Sequence, residues 1–273
     1  MKVTGSSEVI YFDPTPISIT EQVYLGFPKK MRDYANNVVK IDGKYYYAKK
    51  CYTTTLINEL LGSYYSSLVG LDVVDYRIGK SNSGMSYYYA LSEIFYKDEY
   101  SYTTVEDVVG GLRPDDTKTY GRGLGSLYVC DTSVLSLFNS QQIVDSSLML
   151  TAVDLKMWQV DRYNYNVVLR DNGEEKELEK VFDFGWSYAV GKGDKKFCYY
   201  NPFLVVKRNT ISLWGLAHKY PQFSQSAAIL SDAPLYDAIK YVEKRFNIKV
   251  EDSDIPRYIE LDEEYSKVLK KVR

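Results

Sequence analysis

Two β-rich runs separated by a single Asp-Gly dipeptide constrain the fold of this chain more than any other feature. Residues 37–41 and 44–51 are rich in Val, Ile and Tyr, and Asp42-Gly43 lies between them. An Asp-Gly pair in this position is typical of a tight hairpin turn, because both residues tolerate a positive φ. The sequence therefore predicts an antiparallel hairpin at the start of a β-sheet.

A helix and two further strands are predicted directly after this hairpin. Apolar residues recur every three to four positions over residues 55–68, and Gly70 follows them, as in an amphipathic helix. Residues 71–78 and 85–94 have the composition of strands and are separated by polar and glycine residues. The order β-β-α-β-β indicates a small sheet with one helix packed against it.

The rest of the chain has the pattern of a helical unit that contains one short hairpin. The hairpin is predicted over residues 166–182, with the turn Asp171-Asn172-Gly173. Helical patterns cover residues 105–109, 134–137, 141–158, 234–246 and 256–272. We therefore predict an α+β protein with a small β-rich N-terminal lobe, residues 1–96, and a larger helical C-terminal lobe, residues 97–273.

The composition argues against several classes of function. The formal net charge of −2 gives no bulk attraction to nucleic acid or to anionic lipid. The three cysteines lie far apart and His218 is the single histidine, so neither a zinc site nor a His-dependent nucleophile is predicted. No apolar run has the length of a membrane helix, and dispersed cysteines suit a reducing compartment. We expect a cytoplasmic protein without a nucleic-acid or membrane partner.

Three polar residues around the second hairpin have the spacing of a phosphoryl-transfer centre. Asp161 precedes the hairpin, Asn166 begins it and Asp183 follows it. Phosphoryl transfer needs an acceptor hydroxyl held in line and cations held against the phosphates. Asp161 is the candidate base or orienting group, while Asn166 and Asp183 offer the oxygen ligands that Mg²⁺ prefers. The alternative is that the three residues only cap or end helices and strands.

A lysine and a glutamate in the N-terminal lobe are candidate phosphate-binding companions. Lys49 and Lys50 lie on the second strand of the first hairpin, and Glu59 lies on the helix after it. Kinases use a strand lysine, held by a helix glutamate, to contact the α- and β-phosphates. Since side chains alternate along a strand, only one of the two lysines can face the cleft. Counting from Gly43 favours Lys49, the Ala-x-Lys pattern of ordinary kinases favours Lys50, and we lean slightly to Lys49. The alternative is that both are solvated strand residues.

These motifs resemble those of the HipA-like serine/threonine kinases, a family related in fold to the phosphoinositide 3/4-kinases. Residues 161–166, Asp-Arg-Tyr-Asn-Tyr-Asn, and 182–185, Phe-Asp-Phe-Gly, are similar to the family's D-R-H-x-x-N and F-D-x-G motifs. The likeness covers residues 40–190 and includes the strand from Ala90 to Phe95, which contains Glu93. The resemblance implies a two-lobed protein-kinase-like fold, ATP and Mg²⁺ as cofactors, a protein substrate, and adenine contacts along the strand at Glu93 and Phe95.

The chain departs from the family pattern in two places. The family's histidine after the Asp-Arg pair is Tyr163 here, and the stretch before residue 37 is short for the extension through which the type toxin pairs with a DNA-binding antitoxin. An antitoxin or other regulatory partner is therefore an expectation from the resemblance alone. A glycine-rich segment at residues 121–126 is a candidate activation or substrate loop, with a plain surface linker as the alternative.

Two other functions share the same predicted centre. One is a pseudokinase or nucleotide-binding module without turnover, which the change at Tyr163 leaves open. The other is a phosphoinositide-type lipid kinase, although no basic, aromatic-rich segment for membrane binding is evident. For a protein kinase, autophosphorylation is a further expectation, at a site that the sequence does not identify.

Overall fold

Strands and helices alternate along the chain in the computed structural model, which describes residues 2–4, 9–17, 37–83, 87–97, 99–109, 129–131, 135, 138, 140–159, 166–171, 173, 176–185, 187–188, 210–251 and 255–270. The described strands are β1 (Lys2–Thr4), β2 (Ile10–Phe12), β3 (Val38–Ile41), β4 (Lys44–Cys51), β5 (Tyr76–Ser81), β6 (Tyr88–Glu93), β7 (Ser101–Thr104), β8 (Val129–Asp131), β9 (Val168–Asp171), β10 (Lys176–Leu178), β11 (Thr210–Ser212) and β12 (Lys249–Glu251). The described helices are α1 (Thr53–Leu68), α2 (Val105–Val109), α3 (Gln141–Lys156), α4 (Leu213–Lys219), α5 (Pro221–Ser231), α6 (Leu235–Phe246) and α7 (Ile255–Lys270).

Five of the described strands form one sheet in the order β2-β5-β6-β4-β3. Strands β3 and β4 are the predicted hairpin, in which Ile41 pairs with Lys44. The turn residues Asp42 and Gly43 have φ angles of 49° and 80°, as an Asp-Gly turn requires. Strand β4 pairs antiparallel with β6 on its other side, so it lies inside the sheet. Helix α1 packs against β4 and β6.

One apolar core joins this sheet to the helices that follow. Helix α1 buries Leu56, Ile57 and Leu60, and helix α3 buries Leu150 and Val153 in the same cluster. The opposite face of the sheet has a separate cluster, built from Phe12, Val39, Ile41, Tyr46, Ala48, Tyr89 and Leu91. The alternation of side chains along β4, β5 and β6 produces these two faces, and the face toward α1 is continuous with the core around α3.

The predicted α+β class is confirmed, with a sheet in the N-terminal part and mainly helices after it. The strand predicted over residues 71–78 is wrong in its first half, because regular pairing begins only at Tyr76. Before it, Val73 makes an isolated bridge to Val181, which joins this segment to the chain that precedes Asp183. The division into lobes after residue 96 stays a prediction, and most of the short helix predicted over residues 134–137 lies outside the described residues.

Several strand pairings join distant parts of the sequence. Strand β7 pairs antiparallel with β9, which also forms the predicted hairpin with β10. Strand β1 pairs with β12, and β8 pairs with β11. None of the described helices is long and apolar enough to cross a membrane.

Candidate functional site

Three charged side chains from separate elements meet at one place beside the sheet. Lys49 lies on β4, Glu59 lies in the first half of α1, and Asp183 follows β10. Lys49 Nζ lies 2.5 Å from Glu59 Oε1 and forms a second ion pair with Asp183 Oδ1. One ammonium group therefore bridges two carboxylates, and its side chain keeps an exposed fraction of 22%.

Of the two candidate lysines, the structure brings Lys49 and not Lys50 to these carboxylates. The Lys50 ammonium lies over the ring of Tyr87, 4.0 Å from the ring centroid. Neighbouring residues in a strand point to opposite faces of the sheet, so the two lysines cannot share a partner. Whether Lys49 contacts phosphate stays a prediction.

Asn166 and Asp183 lie within hydrogen-bonding distance of each other, as the hairpin between them predicts. The Asn166 amide donates to Asp183 Oδ2, while Lys49 holds Oδ1. Gln159 Nε2 donates to the Asp183 backbone carbonyl at 2.6 Å. The φ angle of Asp183 is 66°, a left-handed conformation that costs about 1–3 kcal/mol for a residue other than glycine and is common at functional sites. Contacts to the Asp183 backbone and to its side chain therefore hold this carboxylate in place.

Glu59 is the most buried member of the cluster, with no exposed surface. A buried carboxylate is costly unless hydrogen bonds replace its water. Its Oε1 accepts from Lys49, and its Oε2 accepts from the Tyr76 hydroxyl and the Phe184 backbone N–H, both at 2.9 Å. Glu59 therefore connects β4, β5 and the segment after Asp183 through one carboxylate.

Gly185 approaches the same cluster so closely that a side chain there would force its neighbours to move. A Cβ atom at this position would lie 2.6 Å from Thr55 Cγ2 and 3.1 Å from both Glu59 Oε1 and Lys49 Nζ. The Gly185 carbonyl also accepts a hydrogen bond from Asn58 Nδ2 at 3.1 Å. The backbone after Asp183 is therefore held against the first turns of α1.

The charge state of Lys49 follows from these contacts. Burial disfavours the ammonium, but the carboxylates of Glu59 and Asp183 outweigh it and raise the pKa of Lys49 above its ordinary value. For Tyr76, burial and then the negative charge of Glu59 raise the pKa well above its ordinary value. At neutral pH the cluster therefore contains an ammonium and a phenol that keeps its proton.

The remaining predicted site residues lie apart from this cluster or outside the described residues. The Glu93 side chain forms an exposed ion pair with Lys44 at 3.3 Å. The Phe95 ring lies 6.2 Å, centroid to centroid, from the ring of Phe182, next to Asp183. Asp161, together with Tyr163 and the glycine-rich segment 121–126, lies outside the described residues.

Three residues that contact the cluster or the segment after Asp183 were assigned no function from the sequence: Asn58, Tyr76 and Gln159. Asn58 Nδ2 donates to two backbone carbonyls, those of Gly185 and Ser187. In the sequence, Asn58 is a polar residue beside Glu59 in an otherwise apolar part of α1. This position is the signal that could have indicated a buried polar contact. Tyr76 and Gln159 give no such signal, because a Tyr or a Gln in an apolar pattern is not unusual enough to indicate a polar contact.

The donor set at Asp183 fits a magnesium ion held together with phosphate. Among the described residues, no group of three or more His, Cys, Asp or Glu side chains could hold a metal ion. A carboxylate and an amide in mutual contact offer two hard oxygen ligands, and Mg²⁺ sites with nucleotides commonly use one or two protein ligands plus phosphate and water. Asp183 and Asn166 are therefore the residues that could hold the cation.

Solved structures that are similar to this chain include a toxin and a kinase. The HipA toxin of Shewanella oneidensis MR-1, solved with HipB and its operator DNA, aligns over 94% of this chain and 70% of its own, with a TM-score of 0.50 and 13% identity. The chain has a HipA-like kinase fold. The Helicobacter pylori proinflammatory kinase CtkA aligns over 85% of this chain and 94% of its own, with a TM-score of 0.44 and 14% identity. No protein-family model matches the sequence, and the comparison with curated proteins finds no match.

Proposed function

We propose that this chain is an ATP- and Mg²⁺-dependent kinase of the HipA-like kind that phosphorylates serine or threonine in a protein substrate. The observation that carries the proposal is the Lys49 ammonium between Glu59 and Asp183, with Asn166 on the second oxygen of the Asp183 carboxylate. A lysine paired with a helix glutamate, beside a carboxylate and an amide, is the arrangement that kinases use around nucleotide phosphates.

Each residue has a distinct task in this proposal. Lys49 donates hydrogen bonds to phosphate oxygens, and Glu59 holds the ammonium in place while that happens. Asn166 and Asp183 hold Mg²⁺, which when bound neutralises the negative charge of the phosphates. Asp161, assigned from the sequence motif alone, orients the acceptor hydroxyl and takes its proton.

Because Lys49 and Lys50 are adjacent but face opposite sides of the sheet, they form a matched pair for testing the site. We expect Lys49→Met to weaken Mg²⁺–ATP binding about tenfold or more, since it removes a charge-assisted hydrogen bond, and to abolish transfer from labelled ATP. Lys50→Met removes the same charge from the surface and should leave both within about twofold of the wild type. Equal losses in the two variants would show that Lys49 has no special part in binding.

A second experiment tests the metal-binding role of Asp183. Asp183→Asn keeps the shape of the side chain but removes its charge, so the affinity for Mg²⁺ should fall. Nucleotide binding, measured by calorimetry across a Mg²⁺ series, should then weaken most at low Mg²⁺. If the affinity of the variant has the same Mg²⁺ dependence as the wild type, the role given to Asp183 is wrong.

The transfer assay also separates the alternative functions. Incubation with labelled ATP and Mg²⁺, beside Asp161→Ala and Asp183→Ala variants, should label the chain itself or a generic protein substrate only in the wild type. Nucleotide binding without transfer would indicate a pseudokinase. Transfer to phosphoinositide vesicles but not to protein would indicate a lipid kinase, and the absence of nucleotide binding would refute all three functions.

A regulatory protein partner is a further part of the proposal. The support is the HipA neighbour, which was solved with HipB and operator DNA. The net charge of −2 favours a protein over a nucleic acid as a direct partner of this chain. We expect affinity-tagged chain to retain a protein of its own host that lowers the rate of transfer, and to show no retention of duplex DNA by itself.

A further inference from the structure

The Tyr76 hydroxyl lies inside the cluster. Its strand contributes none of the predicted site residues. Tyr76 lies at the start of β5, and its side chain is buried, with an exposed fraction of 6%. Its hydroxyl donates to Glu59 Oε2 at 2.9 Å. Burial, followed by the charge of Glu59, raises the pKa of this phenol well above its ordinary value, so the hydroxyl keeps its proton and stays a donor.

The two oxygens of Glu59 have separate tasks. Oε2 is held by two donors, the Tyr76 hydroxyl and the Phe184 N–H, while Oε1 faces the Lys49 ammonium at 2.5 Å. A carboxylate is planar, so donors that fix one oxygen also fix the direction of the other. Without the hydroxyl, Oε2 would keep only the backbone donor, and the carboxylate would be held less firmly about its last bond.

We infer that Tyr76 is a positioning residue, whose hydroxyl fixes the orientation of the Glu59 carboxylate and through it the place of the Lys49 ammonium. The catalytic consequence of this inference rests on the proposed function. Small errors in the position of a phosphate-binding group reduce the rate of transfer strongly, because the group must meet charge that develops in the transition state. Tyr76 acts on the reaction through Glu59 and Lys49, and its hydroxyl also interacts with the Asp183 backbone.

The variant Tyr76→Phe removes the hydroxyl and keeps the buried ring. We expect kcat for transfer from ATP to fall about tenfold or more, while KM for ATP changes less than about threefold. Tyr89→Phe is the matched control, because Tyr89 lies on the neighbouring strand β6 and its ring packs against Phe12 on the opposite face of the sheet. Its kcat and KM should stay within about twofold of the wild type.

A double-mutant cycle tests the same inference without any activity. Tyr76 hydrogen-bonds to Glu59 and Lys49 forms its ion pair with Glu59, so the effects of Tyr76→Phe and Lys49→Met on unfolding should be coupled through that carboxylate. We expect the double variant to depart from additivity by about fivefold or more in the folding equilibrium constant, measured by urea denaturation. Tyr89→Phe combined with Lys49→Met should be additive.

The possible results separate this inference from the proposed function. Transfer by Tyr76→Phe at the rate of Tyr89→Phe would overturn the inference and leave the kinase proposal standing. A wild type that neither binds Mg²⁺–ATP nor transfers phosphate refutes the kinase proposal, and the unfolding cycle then decides the role of Tyr76. Coupling in that cycle supports the positioning role, whereas additivity of Tyr76→Phe and Lys49→Met overturns it.

Discussion

Cys51 lies two residues after Lys49 on β4 and shows how the buried cluster affects its neighbours. Burial, followed by the negative charge of Glu59, raises the pKa of the Cys51 thiol to about 12 from an ordinary value of 9.0. The thiol donates a hydrogen bond to the Lys49 carbonyl at 3.2 Å. Since only the thiolate reacts as a nucleophile, this cysteine should be inert in the folded chain.

The reactivity of Cys51 can be measured directly. At pH 8 the thiolate fraction of the folded chain should be about a thousandfold below that of the unfolded chain. Alkylation with iodoacetamide, followed by mass spectrometry of the Cys51 peptide, should therefore be slow in buffer and fast in concentrated urea. Because burial disfavours the thiolate, the fold should lose stability as the pH rises from 9 toward 12, where the unfolded chain releases this proton and the folded chain keeps it. Equal alkylation in buffer and urea would contradict the buried environment.

At the residue scale, the sequence predicts which side chains meet only where a motif spacing is available. Asn166 and Asp183 could be paired because a short hairpin joins them, and the hydrogen bond between them agrees with that prediction. The choice between Lys49 and Lys50 needs the register of β4 against the rest of the sheet, which no local pattern fixes. Tyr76 could not be predicted, since it is one of 28 tyrosines and its partner Glu59 lies on another element.

At the scale of elements, Gly62 allows the segment after Asp183 to pack closely against α1. Gly62 lies within α1 although glycine costs about 1 kcal/mol there relative to alanine. A Cβ atom at Gly62 would lie 2.0 Å from Cγ of Phe184, which is fully buried. The close approach of this ring explains why the helix tolerates a residue that weakens it, and it fixes the residue next to Asp183.

We expect Gly62→Ala to displace the Phe184 ring and the adjoining Asp183. Overpacking of about 1–3 kcal/mol should exceed the gain in helix propensity, so urea denaturation should show a net loss of stability. Mg²⁺–ATP binding should weaken as well. The double variant Gly62→Ala with Phe184→Leu, which restores space, should recover part of both losses. A single variant as stable as the wild type would show that the ring can move freely.

The elements that the sequence predicts best are those whose signals are local. The hairpin of β3 and β4 and the helix α1 are found within a few residues of their predicted bounds, because a turn dipeptide and an apolar periodicity specify them. The pairings of β7 with β9 and of β1 with β12 have no such signal. Each depends on a partner strand far along the chain, and the short strands themselves carry no distinctive pattern.

At the scale of the whole molecule, a buried ion pair connects the end of α3 to the last described helix. Lys156 Nζ lies 2.6 Å from Asp262 Oδ1, and the side chains are 0% and 4% exposed. Asp262 Oδ2 also accepts from the Leu235 N–H at the start of α6, at 3.0 Å. Burial lowers the pKa of Lys156 and raises the pKa of Asp262, so each charge depends on the other for its stability.

Breaking this pair should be far more harmful than removing it whole. Lys156→Met leaves a buried carboxylate without its cation and should cost about 3–5 kcal/mol of unfolding free energy. Adding Asp262→Asn removes that charge but keeps an acceptor for Leu235, so the double variant should recover much of the loss. Urea denaturation followed by circular dichroism measures the unfolding free energy of the wild type, of Lys156→Met and of the double variant. A double variant no more stable than Lys156→Met would show that the loss comes from packing and not from the unpaired charge.

A surface ion pair serves as the control for this experiment. Lys176 lies 3.6 Å from Asp171, and its side chain is 52% exposed. Exposed pairs contribute about 0–1 kcal/mol, so Lys176→Met should change the unfolding free energy much less than Lys156→Met.

The α+β class was predictable from the sequence because it depends on the order of local patterns. The buried pair of Lys156 and Asp262 was not predictable, because a lysine and an aspartate on amphipathic helices normally face solvent.

The pairing of β1 with β12 has a consequence for how the protein is made. Val3 pairs with Val250, so the first described strand has its partner near the other end of the described chain. A ribosome releases β1 before any site residue and β12 after all of them. The sheet of β2 to β6 and helix α1 can assemble while translation continues, but the β1–β12 ribbon can close only once β12 has emerged. Closure of this ribbon is therefore a late step of folding, which follows the synthesis of the whole candidate site.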